Sequence, residues 1–123
     1  MTEALSQSHP VPAAAEPLLR CEIHPRDRSV VLAVTGELDL STVGEVEAEM
    51  TALRNAGVEH LILDLHALDF IDSSGLRLLV TWTRAAQDGG PRLSVVDGPG
   101  VHRPLALAGL HDVLDMLPAS AAR

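Results

Sequence analysis

Lysine is absent from this 123-residue chain, which excludes a phosphate-binding loop that closes its glycine run on that residue. Tyrosine is absent as well, and Phe70 and Trp82 are the only aromatic residues. That is too few rings for a stacking platform on single-stranded nucleic acid. The formal net charge is −8, and without basic clusters the chain is poorly suited to DNA, RNA or anionic membrane surfaces. The single cysteine, Cys21, can close no internal disulfide and has no partner thiolate for a metal, so a reducing compartment fits. Its setting beside Glu22 in an expected edge strand suits packing rather than an activated thiolate. No apolar run approaches the roughly 18 residues of a membrane span, and no basic stretch leads into an apolar one near Met1. A cytoplasmic protein is expected, with no nucleic acid and no membrane as partner.

What the chain has is aliphatic: 46% of its residues are hydrophobic, mostly Leu, Val and Ala, enough for one well-packed domain and too short for two. Residues 1–17 carry Pro10, Pro12 and Pro17 among small and polar neighbours and are expected to form a mobile tail. The domain is expected over residues 18–117, with a frayed tail over 118–123. Leu18–His24 and Ser29–Thr35 flank the polar turn Pro25-Arg26-Asp27-Arg28 and predict an opening hairpin. Val43, Val46, Met50 and Leu53 recur at helical intervals, with Glu45, Glu47 and Glu49 on the wet side. Ser41 or Thr42 can cap that helix, and Glu45 stands at the capping-box spacing from Thr42. Asn55-Ala56-Gly57 supplies its stop. Leu61–Leu65 and Leu93–Val96 predict buried strands. Asp97-Gly98-Pro99-Gly100 turns into a late helix that Gly109 can end, and His111–Leu117 is a short last element. The fold class that follows is α/β: a mixed four- to five-stranded sheet with parallel later strands, packed by three to four helices.

Between the strand at Leu61–Leu65 and the apolar stripe Leu76, Leu79, Val80 and Thr83 lies Phe70-Ile71-Asp72-Ser73-Ser74-Gly75-Leu76. A helix beginning at about residue 73 and running to about Gln87 is predicted, because Asp72, Ser73 and Ser74 all carry cap-forming oxygens. Two readings are open for this segment. Asp-Ser-Ser can be an N-cap and nothing more, with Gly75 relieving crowding at the helix start. Alternatively, Ser73 is a phosphate acceptor, since a helix N-terminus favours an anion through its free N–H groups and its dipole.

The motif Gly36-Glu37-Leu38-Asp39-x-x-Thr42, then a buried strand, then Phe70-Ile71-Asp72-Ser73-Ser74-Gly75-Leu76, resembles the STAS domain of bacterial anti-sigma factor antagonists. Val101–Leu110 is similar to that family's late helix, and the resemblance runs from about Leu18 to Leu117. It implies a fold of the STAS type and a non-enzymatic partner switch. Unphosphorylated protein would bind an anti-sigma factor serine kinase and free a sigma factor; phosphorylation at Ser73 would end this, and a PP2C-type phosphatase would restore it. Ser74 is the less favoured acceptor. The partner-binding surface implied comprises Asp39, Asp72, Ser73, Ser74, Gly75 and Arg77, with Gly36 and Thr42 structural; Arg77 stands where the family often has Gly. The alternative within the same fold is a STAS scaffold or interaction module of another assembly, serving lipid transport or signalling.

Other chemistry is sparse. The six histidines, His9, His24, His60, His66, His102 and His111, show no ligand spacing, and no metal site and no cofactor are expected. His111-Asp112 is a dyad only by adjacency. A hydrolase reading of His66, Asp69 and Ser73 lacks a nucleophile elbow and an oxyanion motif. Asp64, at a strand end, can influence the rim that carries Ser73.

Overall fold

A computed structural model describes residues 18–123; the mobile tail expected over residues 1–17 lies outside the described residues. Strands β1 (Leu19–Pro25) and β2 (Val30–Leu38) form the opening hairpin. They pair antiparallel, and Arg26 N–H donates to Ser29 O at 2.7 Å across the turn. Helix α1 (Val43–Asn55), strand β3 (His60–Asp64), strand β4 (Leu68–Ile71), helix α2 (Ser73–Gln87), strand β5 (Arg92–Val96), helix α3 (His102–Leu107) and strand β6 (Asp115–Met116) follow, with 3₁₀ turns at Leu110–Asp112 and Ala119–Ala122. The sheet runs β1-β2-β3-β5-β6, with β4 paired to β2. Among the described residues only the β1–β2 pair is antiparallel.

The mixed sheet with parallel later strands is as expected, but it has six strands rather than four or five. The two additions are short. In β4, Leu68 and Ile71 are buried while Asp69 and Phe70 face out, and this is no period-2 alternation from which a strand can be read. The two residues of β6 are held by pairing with Ser94 and Val95. Helix α3 spans only six residues. The last residues do not fray: Ala119–Ala122 forms a turn, and the Arg26 guanidinium donates to Ala122 O at 3.0 Å and Arg123 O at 3.1 Å.

Alternation along the strands divides the core. Leu32 and Val34 of β2, Leu61 and Leu63 of β3 and Leu93 and Val95 of β5 face the helices, against Val46, Met50, Leu78, Leu79, Trp82 and Leu105. Val31, Ile62 and Val96 face the other way and are covered by Leu117 and Ala122. Each fully buried aliphatic side chain contributes about 1.5–3 kcal/mol, and β3, apolar on both faces, is the centre of the layer. Helix α1 stops as expected: Gly57 takes φ 93°, its N–H reaches Arg54 O, and Val58 N–H reaches Leu53 O, a Schellman closure. The expected capping box does not form, because the buried Thr42 hydroxyl turns inward to donate to Glu37 O at 2.7 Å and to accept from Asp39 N–H at 3.0 Å. Between α1 and α2, Trp82 Nε1–H donates to Glu47 Oε2 at 3.3 Å and the Arg54 guanidinium lies 5.1 Å from the indole centre.

Two consequences can be measured. Cys21, half-buried on the edge strand, has its thiol pushed from 9.0 up to about 11, first by burial and then by Glu49 and Glu45 of α1. The thiolate fraction at neutral pH should therefore be about 100-fold below that of an unperturbed thiol. Alkylation by iodoacetamide is expected to be slower by a similar factor in native than in urea-unfolded protein. Equal rates would place the thiol in water.

The second consequence concerns acid. On the back of the sheet the buried Ser94 hydroxyl donates to Asp115 Oδ2 at 2.7 Å, so it accepts from His60 Nε2–H at 2.8 Å; Arg92 Nε donates to the same Oδ2 at 2.8 Å. With its proton committed to the carboxylate, Ser94 is no nucleophile for that imidazole. The Ser94 bond, aided by Arg92, holds the Asp115 carboxyl below its usual 3.8. Burial first, then Arg92, holds His60 below 6.5. In both cases the unfolded chain binds the proton more readily than the folded one, so the stability difference has one sign. Urea midpoints followed by circular dichroism should start to fall below about pH 6.5 through His60 and continue to fall below about pH 4 through Asp115. A flat profile from pH 7 to 3 would contradict this.

Candidate functional site

Because β2, β3, β4 and β5 run parallel, their C-terminal ends open on one rim, the usual place for recognition in open α/β sheets. Asp39 leaves β2 there, Asp64 and His66 leave β3, Asp72 and Ser73 leave β4, and Asp97 leaves β5. The decisive turn is at Gly36, where the register shifts and β2 changes partner from β3 to β4. That shift carries Leu38 alongside Ile71 and brings two loops together that are far apart in sequence.

Asp72 stitches them. It is the N-cap of α2, with Oδ1 accepting from Ser74 N–H at 2.8 Å and Gly75 N–H at 3.3 Å. Its Oδ2 accepts from Leu40 N–H at 3.3 Å, and its own N–H donates to Leu38 O at 3.1 Å. Asp39 in turn accepts from the Ser41 N–H at 2.9 Å and the Ser41 hydroxyl at 2.7 Å. The Ser41 hydroxyl, with smaller contributions from the Ser41 and Thr42 backbone and the Thr42 side chain, holds the Asp39 carboxyl below its usual range despite slight desolvation. The rim thus presents an ionised Asp39.

Ser73, the first residue of α2, is exposed, whereas Ser74 is half-buried and Gly75 buried. A Cβ on Gly75 would stand 2.6 Å from Ile71 Cγ1 and 2.9 Å from Leu38 Cγ, so glycine here lets α2 seat closely on β4. Arg77 is exposed one turn on, at the i+4 position from Ser73. Of the residues singled out from the sequence, Asp39, Asp72, Ser73, Ser74, Gly75 and Arg77 therefore fall on one rim. Asp64 serves a turn: its Oδ1 accepts from His66 N–H at 2.9 Å.

Two features were not legible. Leu40 is 78% exposed between Asp39 and the cap of α2. Beside it opens a shallow groove of about 190 Å³, lined by Leu40, Val43, Glu47, Ser74, Arg77 and Leu78, among others. A leucine stranded in a polar turn was the available signal. The helix N-terminus also differs from an open anion site, because Asp72 Oδ1 already occupies the Ser74 and Gly75 N–H groups. An anion on Ser73 would have to displace a carboxylate to reach them, and is better displayed than enclosed.

Histidines separate into other places. His66 lines a groove with Asp97, Gly98, Pro99 and His102. The expectation that the histidines lack ligand grouping needs correction, since Asp97, His102 and His111 converge. Their separations in sequence, five and nine residues, have no helical or strand period, and only folding brings them together.

A mixed sheet whose parallel rim carries Gly36–Thr42 against a serine-started helix has the architecture of a STAS domain. The sequence model described as "Mlab, STAS domain" matches residues 21–118. An anti-sigma F factor antagonist from Paenibacillus polymyxa is 32% identical over 98 residues, which cover 78% of this chain and 84% of that protein. A crystal structure of an anti-sigma factor antagonist from Mycobacterium paratuberculosis aligns with TM-score 0.71 and 28% identity, covering 85% of this chain and 90% of that one. The unphosphorylated form of the anti-sigma factor antagonist SpoIIAA aligns with TM-score 0.66 and 25% identity over 81% of this chain and 88% of its own. Its phosphorylated form, from Bacillus, shares the fold with TM-score 0.62 and 24% identity over 81% and 91%. The chain belongs to the STAS-domain family of anti-sigma factor antagonists. Among the described residues no helix is long and apolar enough to cross a membrane.

Proposed function

We propose that this protein is a partner switch governed by Ser73. In its unphosphorylated form it binds an anti-sigma factor serine kinase and frees a sigma factor. The kinase then transfers the γ-phosphoryl group of ATP to Ser73 Oγ: the new P–O bond forms as the bond to the ADP leaving group breaks, and the hydroxyl proton passes to a base of the kinase. A PP2C-type phosphatase reverses the modification by hydrolysis. The protein itself contributes the nucleophilic oxygen and no catalysis.

One observation carries the reading: the exposed Ser73 stands on the same rim as Asp39 and Leu40, beside Asp72, whose carboxylate holds the Leu40 N–H. A partner seated on that rim covers the serine. SpoIIAA, a relative, is known in unphosphorylated and phosphorylated forms. Incubating the purified chain with the kinase that copurifies with it, ATP and magnesium, followed by peptide mass spectrometry, tests the assignment. One phosphate is expected on the peptide holding Ser73, lost in Ser73→Ala and kept in Ser74→Ala. Modification that survives Ser73→Ala overturns it.

The match to a STAS model bearing the name Mlab favours a second reading, an interaction module of another assembly such as a lipid-transport or signalling complex. Stoichiometric assembly unaffected by charge at Ser73 would support that reading instead.

A further inference from the structure

We infer that Asp97, His102 and His111 form a binding site for a divalent cation of the zinc class, separate from the Ser73 rim contacts and coupled to them through the backbone. Nδ1 of His102 and Nε2 of His111 both lie 2.8 Å from Asp97 Oδ2. All three candidate ligand atoms fall within 4.8 Å of one another, and the two imidazoles are 4.7 Å apart at their centres. Around zinc, with metal–ligand bonds of about 2.0–2.2 Å, tetrahedral donor atoms are separated by roughly 3.3 Å. The three groups therefore need only sub-ångström to ångström shifts to close on one ion.

The donor set chooses the metal. Two imidazole nitrogens and one carboxylate oxygen suit zinc, nickel or cobalt, whereas magnesium and calcium seek oxygen alone. Three protein ligands leave a fourth position, and it opens to solvent because His102 is 65% exposed, while His111 and Asp97 are 29% and 26% exposed.

The three ligands come from three places: the end of β5, the first residue of α3 and the 3₁₀ turn after it. A bound ion would tie the late helix to the sheet. It would also fix the loop after Asp97, which is in backbone contact with the approach to Ser73. A Cβ on Gly98 would meet His66 O at 2.2 Å, and one on Gly100 would meet Leu68 O at 2.2 Å, so these loops touch main chain to main chain.

The test uses the full chain stripped with chelator, then titrated with zinc chloride in a buffer containing excess magnesium, by calorimetry and by thermal melting. Cobalt chloride in parallel reads the ligand set from its visible absorption, which is intense for four-coordinate sites. One equivalent of zinc per chain, a melting temperature raised by several degrees, and a four-coordinate cobalt spectrum are expected. His111→Gln and His102→Gln should each weaken zinc at least tenfold, while His24→Gln, whose partner is Glu22, should not. Circular dichroism of the chelated variants verifies that they are folded. Absence of saturable one-to-one binding by the unaltered chain, or binding retained in His102→Gln/His111→Gln, would overturn the site and leave a hydrogen-bonded cluster only.

Discussion

Ser73→Asp is expected to bind the anti-sigma kinase at least about 100-fold more weakly than Ser73→Ala, because one like-charge contact costs about 4 kcal/mol at roughly 4 Å and an effective dielectric near 20. The rim gives reason for so large an effect. Asp72 caps α2 with one oxygen and holds Leu40 with the other, and Asp39 stands ionised beside Ser41. A new anion at the first residue of α2 joins two existing carboxylates, and the helix donors that would otherwise absorb it are taken. A phosphate adds roughly 1.5–2 negative charges, so the proposed phosphorylation of Ser73 should act at least as strongly as the aspartate. Arg77, four residues on, offsets this by only about 0.2–0.5 kcal/mol across an exposed turn. Surface plasmon resonance with kinase captured by the unaltered chain reads the ratio. Added salt should narrow the gap, since exposed charges are screened within about 8–10 Å. If Ala and Asp variants bind alike, the switch loses its basis and the scaffold reading takes its place.

The second large effect is predicted in stability rather than in binding. In Gly36→Ala the new Cβ would sit 2.2 Å from Leu18 O, on a backbone with φ 100°. A side chain in that conformation costs about 1–2 kcal/mol, and forced displacement of packed neighbours about 1–3 kcal/mol more. Leu18 O is no free neighbour, since it accepts the Glu37 N–H at 2.8 Å. The melting temperature should therefore fall by at least roughly 10 °C, at about 4–8 °C per kcal/mol for a domain of this size. Gly44→Ala is the matched control: a Cβ there meets nothing within 4 Å, and in a helix alanine is favoured over glycine by about 0.8–1.0 kcal/mol. It should melt no lower than the unaltered chain. Equal melting of the two variants would show that the shift at Gly36 tolerates a side chain.

How far the sequence could lead is seen best where two local signals agreed. At Asp72 a capping residue, a preceding apolar run and a following 3.6-residue stripe coincide, and α2 begins at Ser73 as expected. At Gly57 the end of the apolar stripe and a glycine coincide, and α1 ends. Thr42 shows the limit: its spacing to Glu45 suits a capping box, yet tertiary structure takes the hydroxyl for Glu37 O instead. Strands β4 and β6 exist because β2 and β5 offer them an edge, information that neither four residues nor two contain. The placement of Asp39, Ser73 and Arg77 at element ends on one rim was legible through local motifs, whereas that of Leu40, Glu47 and the Asp97–His102–His111 cluster depends on which loops the sheet brings together.

Trp82 gives the molecule an optical use. Its indole is only 4% exposed, yet its N–H reaches Glu47, and Glu47 also lines the groove beside Ser74. A partner that draws this carboxylate away changes the polarity around the only indole in the chain, and its emission shifts. Docking at the proposed partner rim would thus be reported from inside the protein, without a dye, and stopped-flow traces of that emission would time the arrival and departure of the partner.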